Sequence, residues 1–140
     1  MKAPRLKASV LAIDDDEGFL AALRKSLEAN FQRVDCARSP EEAWARLEER
    51  DYDLIMLEIL LGGEPAGLEM CRRLKADTRR RDTPVLIVSI ADLLYGMSLK
   101  SYLGEESVLP ADGFIDKLAD SEEIVKRARS IVEKPVPDEA

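Results

Sequence analysis

Two kinds of segment alternate along the 140 residues of this chain. Short apolar runs indicate buried strands, and longer segments with apolar residues at helical spacing indicate helices. The predicted strands are 10–13, 32–37, 52–57, 85–90 and 113–115. The predicted helices are 18–29, one that opens at Ser39 and Pro40, 67–76, 91–103, and a last one capped by Ser121.

This alternation, with short connections, predicts a right-handed, doubly wound α/β architecture around a parallel sheet. The segment 85–90 is apolar throughout, as expected for a strand covered on both faces. The chain is long enough for one domain with a substantial core. We expect that domain to span residues 8–133. Segments 1–7 and 134–140 are then flexible tails or linker, the second because it carries Pro135 and Pro137.

Composition and charge narrow the function classes. Hydrophobic residues make up 46% and charged residues 35%, as in a soluble globular protein, and the net charge is −7. A general nucleic-acid-binding surface is not expected, and we interpret Arg79-Arg80-Arg81 as a solvated helix end. No apolar run could span a membrane and no signal peptide is evident, so a cytoplasmic location is predicted. Cys36 and Cys71 are expected to be buried free thiols.

The chain contains no histidine, which excludes the common zinc sites and a histidine general base. The polar residues that could form a functional site instead follow the predicted strands. Because parallel strands deliver their carboxyl ends to one edge of a sheet, these side chains should meet there. They are Asp14, Asp15 and Asp16 after the first strand, Glu58 after the third, Ser89 at the end of the fourth, and Lys117 after the fifth.

In this order the segments resemble the receiver domain of bacterial response regulators of the chemotaxis-regulator type. The resemblance implies a flavodoxin-like, five-stranded parallel sheet of order 2-1-3-4-5 with helices on both faces. It also implies a signalling module of a two-component system rather than an enzyme, with a sensor histidine kinase or other signalling protein as partner. The matching motifs are Ile13-Asp14-Asp15-Asp16, the strand 52–57, Gly67-Leu68-Glu69, Pro84 with the strand that ends at Ser89, and Gly113-Phe114-Ile115-Asp116-Lys117.

The resemblance also implies a magnesium site. Asp14 and Asp15 would hold Mg²⁺. Glu58 and a backbone carbonyl near Leu60 would be the other two ligands from the protein. Oxygen ligands with several retained waters are what Mg²⁺ prefers.

Three further residues take roles by the same resemblance. Lys117 would neutralise the oxygens of a transferred phosphoryl group, and Ser89 would donate a hydrogen bond to one of them. Phe114 occupies the position of the aromatic side chain that reorients when Ser89 moves, so Ser89 and Phe114 form the expected switch.

The departures from the family pattern decide the functional reading. The phosphoacceptor of the family is aspartate, whereas this chain has Glu58. The extra methylene of glutamate moves the carboxylate by about 1.5 Å, and a misplacement of about 1 Å can lower a reaction rate ~100-fold. Leu118 replaces the proline that usually follows the lysine, which makes a cis peptide bond there improbable. The segment between Ser89 and Lys117 is longer than usual, and it falls on the face where receivers carry output and often dimerise through their fourth and fifth helices.

Three functions compete on these grounds. The first is a degenerate receiver that is not switched by ordinary aspartyl phosphorylation, in which Glu58 partly imitates a phosphorylated aspartate. The second is a working receiver that a histidine kinase phosphorylates on Glu58. The third, a remote alternative, is a small phosphohydrolase of the haloacid-dehalogenase type, with Asp14 and Asp16 as its acid pair.

Each candidate residue also has a purely structural interpretation. The three aspartates can cap the first helix, where acids are stabilising. Ser89 can cap the fourth helix, Lys117 can simply pair with the acids, and Phe114 can be a half-buried aromatic residue of the core.

Overall fold

The structure, a computed structural model, describes residues 4–90 and 111–133. The predicted fourth helix, 91–103, and the predicted tail from 134 lie outside these residues. The strands are β1 Leu6–Ile13, β2 Phe31–Ala37, β3 Leu54–Leu57, β4 Val85–Ser89 and β5 Gly113–Asp116. The helices are α1 Glu17–Glu28, α2 Pro40–Glu49, α3 Ala66–Ala76 and α4 Ser121–Val132.

The five strands form one sheet of order β2-β1-β3-β4-β5, and each neighbouring pair is parallel. The predicted fold class and strand order are therefore confirmed. Alternate residues of each central strand point to opposite faces. On β1, Leu11 and Ile13 join an apolar cluster with residues of α2 and α3, whereas Val10 and Ala12 join a second cluster with residues of α1 and α4. The helices thus cover both faces and leave the carboxyl edge of the sheet for polar side chains.

The ends of three elements test the local predictions. Ser39 caps α2 as predicted, since its side chain accepts a hydrogen bond from the Glu42 amide at 3.1 Å. The predicted cap at Ser121 is wrong: Asp120 is the N-cap of α4 and makes no side-chain cap bond. Strand β1 begins at Leu6, inside the predicted tail 1–7, because the Leu6 amide donates to the Asn30 carbonyl at 2.8 Å.

Both cysteines are free, as predicted. Cys71 is buried, and burial raises the pKa of its thiol to about 11. Cys36 is only half-buried, because it lies on the edge strand β2, and burial raises the pKa of its thiol as well. Within residues 4–90 and 111–133, no helix has the length and apolar character that crossing a membrane requires.

Candidate functional site

Four strand ends bring their side chains together at the carboxyl edge of the sheet. Asp14 follows β1, Glu58 follows β3, Ser89 is the last residue of β4, and Lys117 follows β5. Asp14, Glu58 and Ser89 are 2%, 6% and 0% exposed, which is unusual for polar residues and marks a site that is either paired or functional. We call these four residues the Glu58 site.

The carboxylate of Glu58 is fully engaged. Its Oε2 accepts a hydrogen bond from the Ser89 hydroxyl and another from the Leu60 amide at 3.1 Å. Its Oε1 lies 3.3 Å from Nζ of Lys117. Glu58 therefore contacts both Ser89 and Lys117 at the edge where these side chains were expected to meet.

Lys117 also reaches Asp14, so one ammonium serves two carboxylates. Its Nζ lies 3.1 Å from Asp14 Oδ1 and 2.9 Å from Oδ2, and 4.7 Å from the centroid of the Phe19 ring. Burial alone would lower the pKa of Lys117, but the two carboxylates outweigh it and raise that pKa. Burial raises the pKa of Asp14, against the opposing effects of the Asp16 amide and of Lys117.

The three consecutive aspartates have three different surroundings. Asp14 lies in the Glu58 site, and its Oδ1 also accepts a hydrogen bond from the Asp16 amide at 2.9 Å. Asp15 is exposed and accepts a hydrogen bond from the Gly62 amide at 2.8 Å. Asp16 is the N-cap of α1, and its side chain accepts from the Phe19 amide at 3.1 Å. The capping interpretation therefore holds for Asp16 alone.

The conformation of the loop between Glu58 and α3 depends on two glycines. Gly62 and Gly63 have φ of 64° and 78°, which side chains other than that of glycine rarely tolerate. They let the chain turn so that Leu61 and Glu64 pair and the Gly62 amide points at Asp15. The Leu60 amide donates a hydrogen bond to Glu58, and the role of its carbonyl as a metal ligand stays a prediction.

Receiver domains generally bind Mg²⁺ at this edge of the sheet, so the predicted ligands can be tested for fit. The carboxylates of Asp14 and Glu58 both contact the Lys117 ammonium, and the Asp15 carboxylate accepts a hydrogen bond from the Gly62 amide. Over the part of the chain that the structure describes, no three acidic, cysteine or histidine side chains form a group able to hold a metal ion. The contacts as they stand do not fit the predicted ligand set, and Mg²⁺ has no part in the function proposed below.

Phe114, the predicted switch residue, lies on β5 opposite Ile87 of β4. Its side chain is half-buried and packs against the apolar cluster of α2 and α3. That position agrees with its interpretation as a core residue, and its reorientation with Ser89 stays a prediction.

Sequence reasoning missed two contributors to the site. Phe19 is not among the predicted site residues, yet its ring covers Lys117. Its place five residues after Asp14 was the available signal, because the first turn of a helix that follows a strand lies over the carboxyl edge of the sheet. The Gly62 amide carries no side-chain signal, and the two consecutive glycines are the feature that is typical of an unusual backbone.

A flavodoxin-like sheet with acids, a hydroxyl and a lysine at its carboxyl edge defines a class of signalling domain. The family model described as the response regulator receiver domain matches residues 10–129. This chain belongs to that family.

Curated relatives agree with this assignment. The phosphate regulon transcriptional regulatory protein PhoB of Rhizobium meliloti is 27% identical over 135 residues, covering 92% of this chain and 54% of the relative. AfsQ1, a transcriptional regulatory protein of Streptomyces coelicolor, is 33% identical over 107 residues, covering 75% of this chain and 46% of its own length. The chain thus spans about half the length of these relatives.

Solved structures share the fold. The N-terminal receiver domain of a response regulator from Bacteroides fragilis has a TM-score of 0.75 at 19% identity, covering 93% of this chain and 100% of that one. A CheY-like receiver domain protein from Methanospirillum hungatei has a TM-score of 0.71 at 19% identity, covering 92% and 96%.

Proposed function

We propose that this chain is a receiver-type signalling module whose output does not depend on phosphorylation at position 58. Glu58 holds the domain near the arrangement that a phosphorylated aspartate would impose. The module passes its signal by binding another signalling protein, and it turns over no substrate. Direct contact with nucleic acid is not part of this function. Dimerisation through the predicted fourth helix, 91–103, and the helix after it, α4, stays a prediction, because residues 91–103 lie outside the described structure.

One observation carries the proposal. The two groups that the family resemblance assigns to a transferred phosphoryl group, Ser89 and Lys117, are both bound to the Glu58 carboxylate. The longer side chain reaches these groups from the phosphoacceptor position without any added group. The imitation is partial, because glutamate supplies one negative charge where a phosphoryl group supplies nearly two.

The same contacts disfavour Glu58 as a nucleophile. Both of its oxygens are already held, one by Lys117 and the other by Ser89 and the Leu60 amide. Each of these contacts draws electron density from the oxygens, which makes the carboxylate a weaker nucleophile while they are in place. The phosphohydrolase alternative is not carried further, since Asp16 caps α1 and the chain belongs to the receiver family.

Intact-protein mass spectrometry tests the proposal directly. The protein is incubated with Mg²⁺ and acetyl phosphate as a small-molecule phosphodonor, beside the variants Glu58→Gln and Glu58→Asp. We expect no mass gain in the wild-type protein and a gain of one phosphoryl group in Glu58→Asp, whose shorter carboxylate is freed from Ser89. A gain in the wild-type protein that Glu58→Gln abolishes would make the chain a receiver phosphorylated on Glu58.

A second measurement tests the active-like arrangement itself. In two-dimensional amide NMR, Glu58→Ala should shift the resonances of Ser89, Phe114 and Lys117. The control is Glu64→Ala, which removes an exposed carboxylate from the same loop and should leave these resonances in place. Equal spectra for the two variants would show that the Glu58 carboxylate holds nothing in position.

A further inference from the structure

We propose that the ammonium of Lys117, and not a divalent metal ion, is the cation that holds the carboxylates of this site together. The inference deepens the proposed function, because it rests on Glu58 being held by Lys117 as that function requires. It departs from the metal dependence that membership of the receiver family implies. Its grounds are the partners of three carboxylates: Asp14, Asp15 and Glu58.

The first ground is that the Lys117 ammonium already lies between the two buried carboxylates. Asp14 and Glu58 are both buried, and two carboxylates that share a buried site repel each other unless a positive charge lies between them. Lys117 Nζ supplies that charge at 2.9 Å from Asp14 and 3.3 Å from Glu58. Its side chain is 12% exposed, so the pair is screened weakly by solvent.

The second ground is that Phe19 holds the ammonium in place. The Phe19 ring faces Lys117 with 4.7 Å between its centroid and Nζ, within the range of a cation–π contact. A metal ion entering between Asp14 and Glu58 would have to displace an ammonium that two carboxylates and a ring stabilise.

The third ground is that the other carboxylate oxygens, which could bind a metal ion, already accept hydrogen bonds. Asp15 is bound to the Gly62 amide at 2.8 Å, and Oε2 of Glu58 is bound to Ser89 and to the Leu60 amide. Mg²⁺ demands a near-ideal octahedral set of oxygens and gives up its waters reluctantly. Because Mg²⁺ keeps several of its waters, it needs only one or two carboxylates here, but each candidate carboxylate already has a partner that competes with the ion.

Calorimetric titration with Mg²⁺ in the absence of any phosphodonor tests this inference. We expect no saturable binding by the wild-type protein. The variant Lys117→Met, which keeps an unbranched side chain of similar size and removes the charge, should bind Mg²⁺ saturably. Its affinity should be at least tenfold above the detection limit that bounds the wild-type protein, the smallest effect typical of changes beside metal ligands. The control Lys25→Met removes an exposed lysine of α1 and should match the wild-type protein.

Amide NMR in the same titration provides the second readout. In Lys117→Met, Mg²⁺ should shift the Leu60 and Gly62 amides, whereas in the wild-type protein it should not. Saturable binding by the wild-type protein with shifts at these amides overturns the inference, whether or not the variant folds. Absence of binding in a folded Lys117→Met also overturns it, since Lys117 would then not be what excludes the metal.

The two proposals can fail separately. Wild-type protein that binds Mg²⁺ saturably but gains no phosphoryl group would overturn the metal inference and leave the proposed function in place. Phosphorylation of Glu58 without saturable Mg²⁺ binding would do the reverse.

Discussion

Gly67 lies against the backbone of Glu58 so closely that a β-carbon at Gly67 would stand 1.9 Å from the Glu58 carbonyl oxygen. It would also stand 2.9 Å from the α-carbon of Ile59. Both obstacles are backbone atoms, so α3 would have to move away from the end of β3. We expect Gly67→Ala to lower the free energy of unfolding by about 1–3 kcal/mol or more. Urea unfolding followed by the fluorescence of Trp44 measures this.

The control for that variant is Gly18→Ala on α1. A β-carbon there would have Asp16 Oδ1 as its nearest neighbour, at 3.6 Å, which is an ordinary contact. Alanine in the first turn of a helix should be neutral or stabilise by up to about 1 kcal/mol. If both variants changed stability equally, the close approach of α3 to Glu58 would be wrong.

Lys75 joins the end of α3 to the starts of two strands. Its Nζ donates to the carbonyls of Arg81 and Thr83 at 3.1 and 2.8 Å and contacts Asp112 at 2.8 Å. The same Asp112 oxygen accepts a hydrogen bond from the Val85 amide at 2.8 Å. We expect Lys75→Met to lower the free energy of unfolding by about 1–3 kcal/mol, because it removes three hydrogen bonds, of which the one to the Thr83 carbonyl is partly buried. Urea unfolding measures the loss.

The matched control is Lys126→Met, which removes an exposed lysine from α4 and should change stability by less than about 0.5 kcal/mol. A loss in Lys75→Met no larger than in this control would mean that the network contributes nothing to the stability of the sheet.

The fold was predictable because its signals are local. Apolar runs mark β1, β3 and β4, Ser39 and Pro40 open α2 as caps do, and five segments in the right order indicated the family. The edge of the sheet where Asp14, Glu58, Ser89 and Lys117 meet followed from strand polarity alone.

The rest depended on contacts between distant residues, which no local pattern encodes. Lys117 and Asp14 are separated by 103 positions, and nothing in the sequence says that the ammonium binds both acids rather than one. Asp15 bonds a backbone amide 47 positions away, so its side-chain type could not reveal that partner. The cap of α4 was missed by one residue because Asp120 and Ser121 are both good N-cap residues.

Tyr52, which lies just before β3, and Asp35 of the edge strand β2 form a buried hydrogen bond. The Tyr52 hydroxyl donates to Asp35 Oδ2 at 2.5 Å, and Arg33 Nε lies 3.1 Å from the same oxygen. Burial alone would raise the pKa of Asp35, but these two donors outweigh it and lower that pKa below its ordinary 3.8. The stability gained from ionised Asp35 is therefore complete above pH 3.8 and is lost as the pH falls through the lower folded-state pKa.

We expect Tyr52→Phe to lower the free energy of unfolding at pH 7 by about 1–2 kcal/mol, and the difference from the wild-type protein to shrink below pH 3.8. Urea unfolding across pH 2.5–7, as about five separate titrations, measures this. The control is the same substitution in an Asp35→Asn background, where the pH dependence of the difference should disappear. A difference that stays constant with pH in the wild-type background would contradict the charge-assisted bond.

Phe19 is expected to stabilise the protein through Lys117 as well as through packing. Phe19→Leu keeps an apolar side chain at the start of α1 but removes the ring that faces the ammonium. A double-mutant cycle with Lys117→Met isolates the contact, because packing losses cancel in the coupling energy. We expect a coupling of about 0.5–2 kcal/mol, the range for a partly desolvated cation–π pair. Urea unfolding of the four proteins measures it, and strictly additive losses would show that the ring does not hold Lys117. Since Lys117 binds Glu58 at 3.3 Å, a real coupling would also extend the Glu58 site by one residue that no polar pattern marks.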